Sequence, residues 1–335
     1  MKKIITILLS LLILFTVITS CQNIDKNNQK NDNENPKVET HLSIVTTIFP
    51  QYDFTRQIVR DLAEVHMLLK PGAESHSYEP TPQDIKLIQN SDLFIYVGGE
   101  NDTWIEGIIE SMGEQAPDTM RLIDLVDTLD EDIVEGMQHK HENNNNEETE
   151  NDKADEHDHE LDEHVWTSPI KAIEIVKKIT EVLSEKDPVN ANVFQTNSEN
   201  YIEDLETLDQ EFRDIVKNAK RKTILVADRF PFRYLVEEYG IDYYAAFTGC
   251  STDTEASAAT VAFLINKTNE LQLPYIFSIE LSNEKIANSI VESTNAKKLT
   301  LHSIHNLSKE ELAEGETYIS LMQKNAKNLA IALQE

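Results

Sequence analysis

The stretch DEHDHELDEHVWTSP, from Asp155 to Pro169, sets His157, His159 and His164 among a run of carboxylates and closes on a tryptophan and a proline. Imidazole nitrogen and carboxylate oxygen are donors that suit Zn²⁺. The same composition also describes a plain solvated charge run, so the choice turns on other residues. His76 lies in GAESHSYEPTPQD, after one strand and just before a helix, and His302 and His305 lie in LTLHSIHN, at the end of a last strand. Ligands of open α/β sheets bind beyond the carboxyl ends of the strands. His76, His164, His302 and His305 therefore sit on three loops that would converge on a cleft between two lobes, although His76 alone reads as an ordinary surface histidine.

The elements that must carry these loops are legible in the apolar pattern. Ser43 to Phe49 is β-rich, Tyr52 to Leu62 has helical spacing at Phe54, Ile58 and Leu62, and Val65 to Leu69 reads as a second strand. A helix is expected from Thr81, with Pro82 in its first position, and DLFIYVGG is a buried strand. The second half repeats the alternation: KTILVAD, DYYAAF, PYIFSIEL and KKLTLHSI as strands, with RYLVEEYG a helix closed by Gly240. Between Thr167 and Ala219, Phe194, Tyr201, Leu205, Leu208, Phe212 and Ile215 form one seam and predict a long helix joining the halves. The expected fold is α/β: two lobes, each a mostly parallel sheet flanked by helices, joined by one long backbone helix, with the site in the inter-lobe cleft. The expected boundaries are 41–168 for the first lobe, with an acidic histidine-rich loop at 138–162, then 169–220 for the linking helical region and 221–335 for the second lobe.

Composition fixes the setting. The formal net charge of −30 over 335 residues repels nucleic acid and favours cations as partners. Residues 1–20 pair Lys2 and Lys3 with an apolar run from Ile4 to Ile18, which reads as a secretory signal and is short for a membrane span. The run ends at Ile18-Thr19-Ser20-Cys21, which resembles the bacterial lipobox, so Cys21 is expected to be lipidated and to anchor the chain outside the cell membrane. Residues 21–40 are polar and read as a flexible tether. Cys250 is then the one thiol left, and a disulfide framework is excluded by count.

GAESHSYEPTPQD, DEHVWTSP, the YLVEEYG helix, GCSTDTEAS and the IEL…LTLHS tail together resemble the solute-binding lipoproteins of zinc and manganese ABC importers, the cluster A-I family. The resemblance runs from about Ser43 to Leu333. It implies two α/β lobes on one long helix with little closure on binding, an ABC permease as partner, and His76 and His164 as first-lobe metal ligands. His302 stands where the family often has an aspartate ligand. The place of the usual second-lobe histidine or glutamate ligand falls on Arg229, whose guanidinium offers no lone pair to a cation. Asp228 or Glu280 is expected to neutralise that arginine. The expected site is His76, His164 and His302 around Zn²⁺, completed by a water or by His305, with Asp228 and Glu280 as lesser candidates.

His139, His141, His157 and His159 fall in a low-complexity acidic run where zinc-type family members carry similar insertions, and are read as weak, exchangeable Zn²⁺ capture. A nitrogen-rich set favours Zn²⁺ over Mn²⁺, which prefers oxygen-rich sites; Mn²⁺ stays open as the alternative cargo. Two other classes compete. A zinc hydrolase would need a general base beside an open coordination position, and the chain lacks H-E-x-x-H, with Glu79 the one cheap candidate. A surface adhesin would need no metal. A non-enzymatic, monomeric zinc-capturing lipoprotein is the expectation that uses all the motifs.

Overall fold

The computed structural model describes residues 41–74, 78–99, 102–137, 160–251 and 255–335. Residues 41–335 form one compact unit. The signal, the lipidated Cys21 and the tether expected at 1–40 lie outside the described residues, as do His76 and the loop histidines His139, His141, His157 and His159.

The first lobe alternates strand and helix: β1 (Leu42–Thr46), α1 (Phe49–Val59), β2 (Ala63–Met67), α2 (Pro82–Gln89), β3 (Leu93–Tyr96), α3 (Thr103–Met112) and β4 (Asp118–Arg121). The four strands are parallel, in the order β2-β1-β3-β4. Parallel strands covered on both faces must be apolar throughout, and Leu93-Phe94-Ile95-Tyr96 is buried at every position. β4, DTMR, is a polar edge strand that the apolar pattern does not announce. α2 begins where its sequence says it should. The Thr81 side chain accepts from the Asp84 amide, Asp84 takes the Thr81 amide at 2.8 Å, and Pro82 opens the helix.

The linking region holds two helices, the second of them the long helix that the seam predicts. α4 (Pro169–Lys186) ends at Asp187, the residue before Pro188, where proline disfavours the helical conformation, and α5 (Ala191–Lys217) starts after a short turn. The six seam residues are all buried and all belong to α5, which alone spans about 40 Å at 1.5 Å per residue. α5 packs on α4 and on α1 of the first lobe.

The second lobe repeats the plan with β5 (Thr223–Phe230), α6 (Arg233–Tyr239), β6 (Asp242–Thr248), α7 (Ala258–Glu270), β7 (Tyr275–Ser278), α8 (Lys285–Ser293) and β8 (Lys297–Thr300). These four strands are also parallel, in the order β6-β5-β7-β8. α9 (Lys309–Glu314) and α10 (Tyr318–Gln334) follow, and α10 returns to pack along α5. One apolar core runs through both lobes, holding Ile44, Phe54, Trp166, Phe212, Val226 and Tyr318 together. Hydrogen bonds stitch the lobes directly: Trp166 Nε1 donates to the Ser303 carbonyl at 2.9 Å, Tyr318 Oη to the Trp166 carbonyl at 2.6 Å, and the Phe49 amide to the His305 carbonyl at 3.1 Å.

Candidate metal site

His164 is placed by the sequence that follows it. Val165 to Thr167 form a single 3-10 turn, Thr167 Oγ1 donates to the His164 carbonyl at 2.9 Å, the Ser168 side chain caps α4, and Pro169 opens it. Trp166 is wholly buried and ties the turn to the second lobe. The W-T-S-P motif is therefore a bracket that fixes a histidine in front of a helix.

The His164 ring is fully buried, and its Nδ1 lies 2.9 Å from Asp162 Oδ1, which also accepts the His164 amide at 2.8 Å. Asp162 is itself held, since its amide donates to the Leu129 carbonyl and Tyr234 Oη donates to its carbonyl at 2.7 Å. With Nδ1–H donating to a carboxylate, the network assigns Nε2 as the lone-pair nitrogen, the arrangement used by metal-binding imidazoles. Burial alone pulls the His164 pKa down, but Asp162, with Glu163 and Glu131 beyond it, more than reverses this and raises it above 6.5.

His305 faces this ring. The two ring centroids are 4.8 Å apart at 83°, and Trp166 lies 5.0 Å from His305. Ser303 Oγ is 2.8 Å from His305 Nδ1 and donates to Glu280, which also accepts the Ser303 amide at 2.7 Å. A hydroxyl that gives its proton to Glu280 accepts from His305 Nδ1–H, so His305, like His164, presents Nε2 as its lone-pair nitrogen. Glu280 thus orients a histidine through a serine.

His302 is turned elsewhere. Its Nδ1 accepts the Ile304 amide at 2.9 Å, its Nε2 lies 3.5 Å from Glu311 Oε1, and its backbone is clamped at both ends by Asn325. Its Nδ1 is thus engaged by the turn after β8, and it is His305, three residues on, whose ring meets that of His164. Arg229 is also placed otherwise than expected. Its guanidinium bonds Glu74 of the first lobe, at 3.2 Å from each carboxylate oxygen, while Asp228 accepts the Arg229 amide and the Ser282 hydroxyl. Arg229, Glu74, Gly249, Glu280, Ser303 and His305 line one small cavity of about 20 Å³. Tyr78, Asp102, Trp104, Glu163, Trp166 and His305 line another of about 30 Å³. His76 lies between Glu74 and Tyr78 in the chain, so both flanks of its loop line these cavities.

Glu163 and Cys250 complete the surroundings of His164. One donor atom from each of Glu163, His164 and Cys250 lies within 4.8 Å of the others. Glu163 is buried, and the Cys250 amide donates to Glu131 at 2.8 Å. Burial and the charges of Glu163 and Glu131 push the Cys250 thiol well above its ordinary range. Asp162, Glu163 and Ser303 adjoin motif histidines in the sequence, where local composition marks them only as part of a charge run or a turn. Glu74 and Cys250 lie within quoted motifs, but nothing local marks their partners, which are distant in the chain.

A family model for the periplasmic zinc-uptake complex component A matches residues 44–332. The zinc-binding lipoprotein AdcA of Streptococcus pneumoniae (strain ATCC BAA-255 / R6) is 34% identical over 330 residues, 98% of this chain and 60% of that protein. The chain thus spans about 60% of the length of that relative. The high-affinity zinc uptake system protein ZnuA of Bacillus subtilis (strain 168) is 34% identical over 292 residues, covering 87% of this chain and 88% of that one. The crystal structure of the Zn(II)-bound ZnuA-like domain of S. pneumoniae AdcA superposes with a TM-score of 0.70 at 31% identity, over 88% of this chain and 99% of that one. The metal-dependent lipoprotein YcdH from B. subtilis gives 0.71 at 32% identity, over 88% and 100%. With the two-lobed architecture and the paired imidazoles of the cleft, a match over this length places the chain in the zinc-uptake complex component A family.

Proposed function

We propose that this protein captures Zn²⁺ outside the cell membrane and delivers it to the permease of an ABC importer, working as a monomer tethered through a lipid on Cys21. The observation that carries the reading is the pair His164 and His305, two imidazoles in ring contact at the lobe junction, each with Nδ1 engaged by a carboxylate, directly or through a serine. Two imidazoles in ring contact, each left with Nε2 as its lone-pair nitrogen, suit a nitrogen-favouring ion. His76 is the third donor on sequence grounds, and His302 braces the loop that presents His305.

Relatives at 34% identity are named for zinc binding and zinc uptake, which supports zinc over manganese and over adhesion as the primary role. The extensive hydrogen bonding between lobes favours a site that is largely formed before the ion arrives. Elemental analysis of the purified protein, followed by thermal denaturation with and without added Zn²⁺, tests the reading. Stoichiometric zinc and a raised Tm are expected; protein free of zinc with no thermal shift on metal addition would leave the adhesin reading standing.

A further inference from the structure

We propose that Cys250 and Glu163 are direct donors to the captured cation, forming with His164 a mixed sulfur, oxygen and nitrogen site that spans the two lobes. This rests on the zinc-capture reading and adds donors to it. Arg229 can donate nothing to a cation, and its guanidinium is already committed to Glu74. The second lobe nevertheless brings a different donor to His164: the loop after β6 delivers Cys250, with donor atoms of Glu163, His164 and Cys250 all within 4.8 Å of one another.

Two glycines make the approach possible. A Cβ on Gly249 would stand 2.8 Å from His164 Cε1 and 3.0 Å from the Phe230 carbonyl oxygen, so a larger residue there would push the Cys250 loop off the imidazole. A Cβ on Gly99 would overlap Glu163 Oε2, at 1.7 Å, so the carboxylate keeps its place only against a bare backbone. The bond from the Cys250 amide to Glu131 holds the loop in register. Asp162, Glu163 and Glu131 gather carboxylates around one imidazole and one thiol, an arrangement that a dication neutralises. On binding, the thiol proton passes to solvent as the sulfur–metal bond forms. A thiolate donor discriminates against Mn²⁺ in favour of Zn²⁺, so Cys250 is a specificity determinant.

Cobalt(II) tests this in the full chain carrying Cys21→Ala, which leaves Cys250 as the single thiol. The first equivalent of Co²⁺ is expected to raise visible d–d absorption together with a near-ultraviolet thiolate-to-cobalt charge-transfer band. Cys250→Ser is expected to lose that band, keep the d–d absorption through the histidines, and bind Zn²⁺ about 10-fold or more weakly. Glu163→Gln is expected to keep the band and also to weaken Zn²⁺. Stoichiometric d–d absorption with no charge-transfer band in the parent, or unchanged Zn²⁺ affinity in both variants, overturns the proposal while leaving zinc capture intact. No metal uptake by the parent overturns both.

Discussion

Arg229 of the second lobe and Glu74 of the first meet across the cleft, with the guanidinium nitrogen 3.2 Å from each carboxylate oxygen. Arg229 is 12% exposed and Glu74 42%, so the pair sits at the rim, where solvent screens it. Its coupling in a double-mutant cycle is expected to be about 1 kcal/mol or less and to shrink with added salt. Thermal denaturation of Arg229→Ala, Glu74→Gln and the double variant at two salt concentrations measures it. Because Arg229 is no ligand, Arg229→Ala is expected to retain one tight Zn²⁺; loss of binding in that variant contradicts the placement.

In the proposed site, zinc binding to His164 would compete with a proton whose pKa Asp162 and its neighbours raise above 6.5 against the effect of burial. The affinity is therefore expected to fall as pH drops, beginning above 6.5 and not below it, by about tenfold per pH unit for each proton displaced. The metal-free protein behaves in the opposite sense. A raised folded pKa means that the His164–Asp162 pair contributes its full stability below 6.5 and loses it as pH rises through the raised value. Isothermal titrations between pH 5.5 and 8 decide the first part. An affinity flat over that range would remove imidazole from the site.

His305 is the ring that meets His164, whereas His302 Nδ1 accepts the Ile304 amide. His305→Ala is expected to weaken Zn²⁺ strongly, whereas His302→Ala should leave zinc affinity nearly unchanged and destabilise the fold by about 2 kcal/mol through lost buried hydrogen bonds. The stability gap between the parent and the His302 variant should also narrow in acid. The His302 imidazole 3.5 Å away outweighs burial and holds Glu311 down to about 2 from its ordinary 4.5, so that contribution is present above 4.5 and disappears as pH falls towards 2. Urea denaturation of the parent and the two variants at pH 7 and pH 3 separates the roles.

The boundary of the acidic loop follows from the bonds at its end. The Glu131 amide donates to the Glu160 carbonyl, Asp130 bridges to Leu161, and Asp162 orients His164. Deleting 138–159 is expected to keep one tight zinc per protein while lowering the total bound at high zinc. Deleting 138–162 is expected to lose the tight site as well, because Asp162 goes with it. Equilibrium dialysis of both deletions makes the comparison.

Much of this architecture is readable from one chain because parallel strands buried on both faces are written as short apolar runs, such as Leu93 to Tyr96, and helix starts as Thr81-Pro82 or Ser168-Pro169. What the pattern conceals is tertiary. β4 is polar at the sheet edge, and the helix before Pro188 lies outside the seam that marks the long one. His302 and His305 lie in the same short turn, and only the Ile304 amide bond to one and the Ser303–Glu280 relay to the other decide which faces His164. Cys250 comes to that histidine from the opposite lobe, a contact no local spacing announces.

Competitive titration of Zn²⁺ against Mn²⁺ in the parent protein and in His164→Ala tests the central claim most directly. One tight Zn²⁺ that Mn²⁺ in large excess fails to displace, lost in His164→Ala, is the predicted result; equal or preferred binding of Mn²⁺, or tight zinc surviving in His164→Ala, would contradict it.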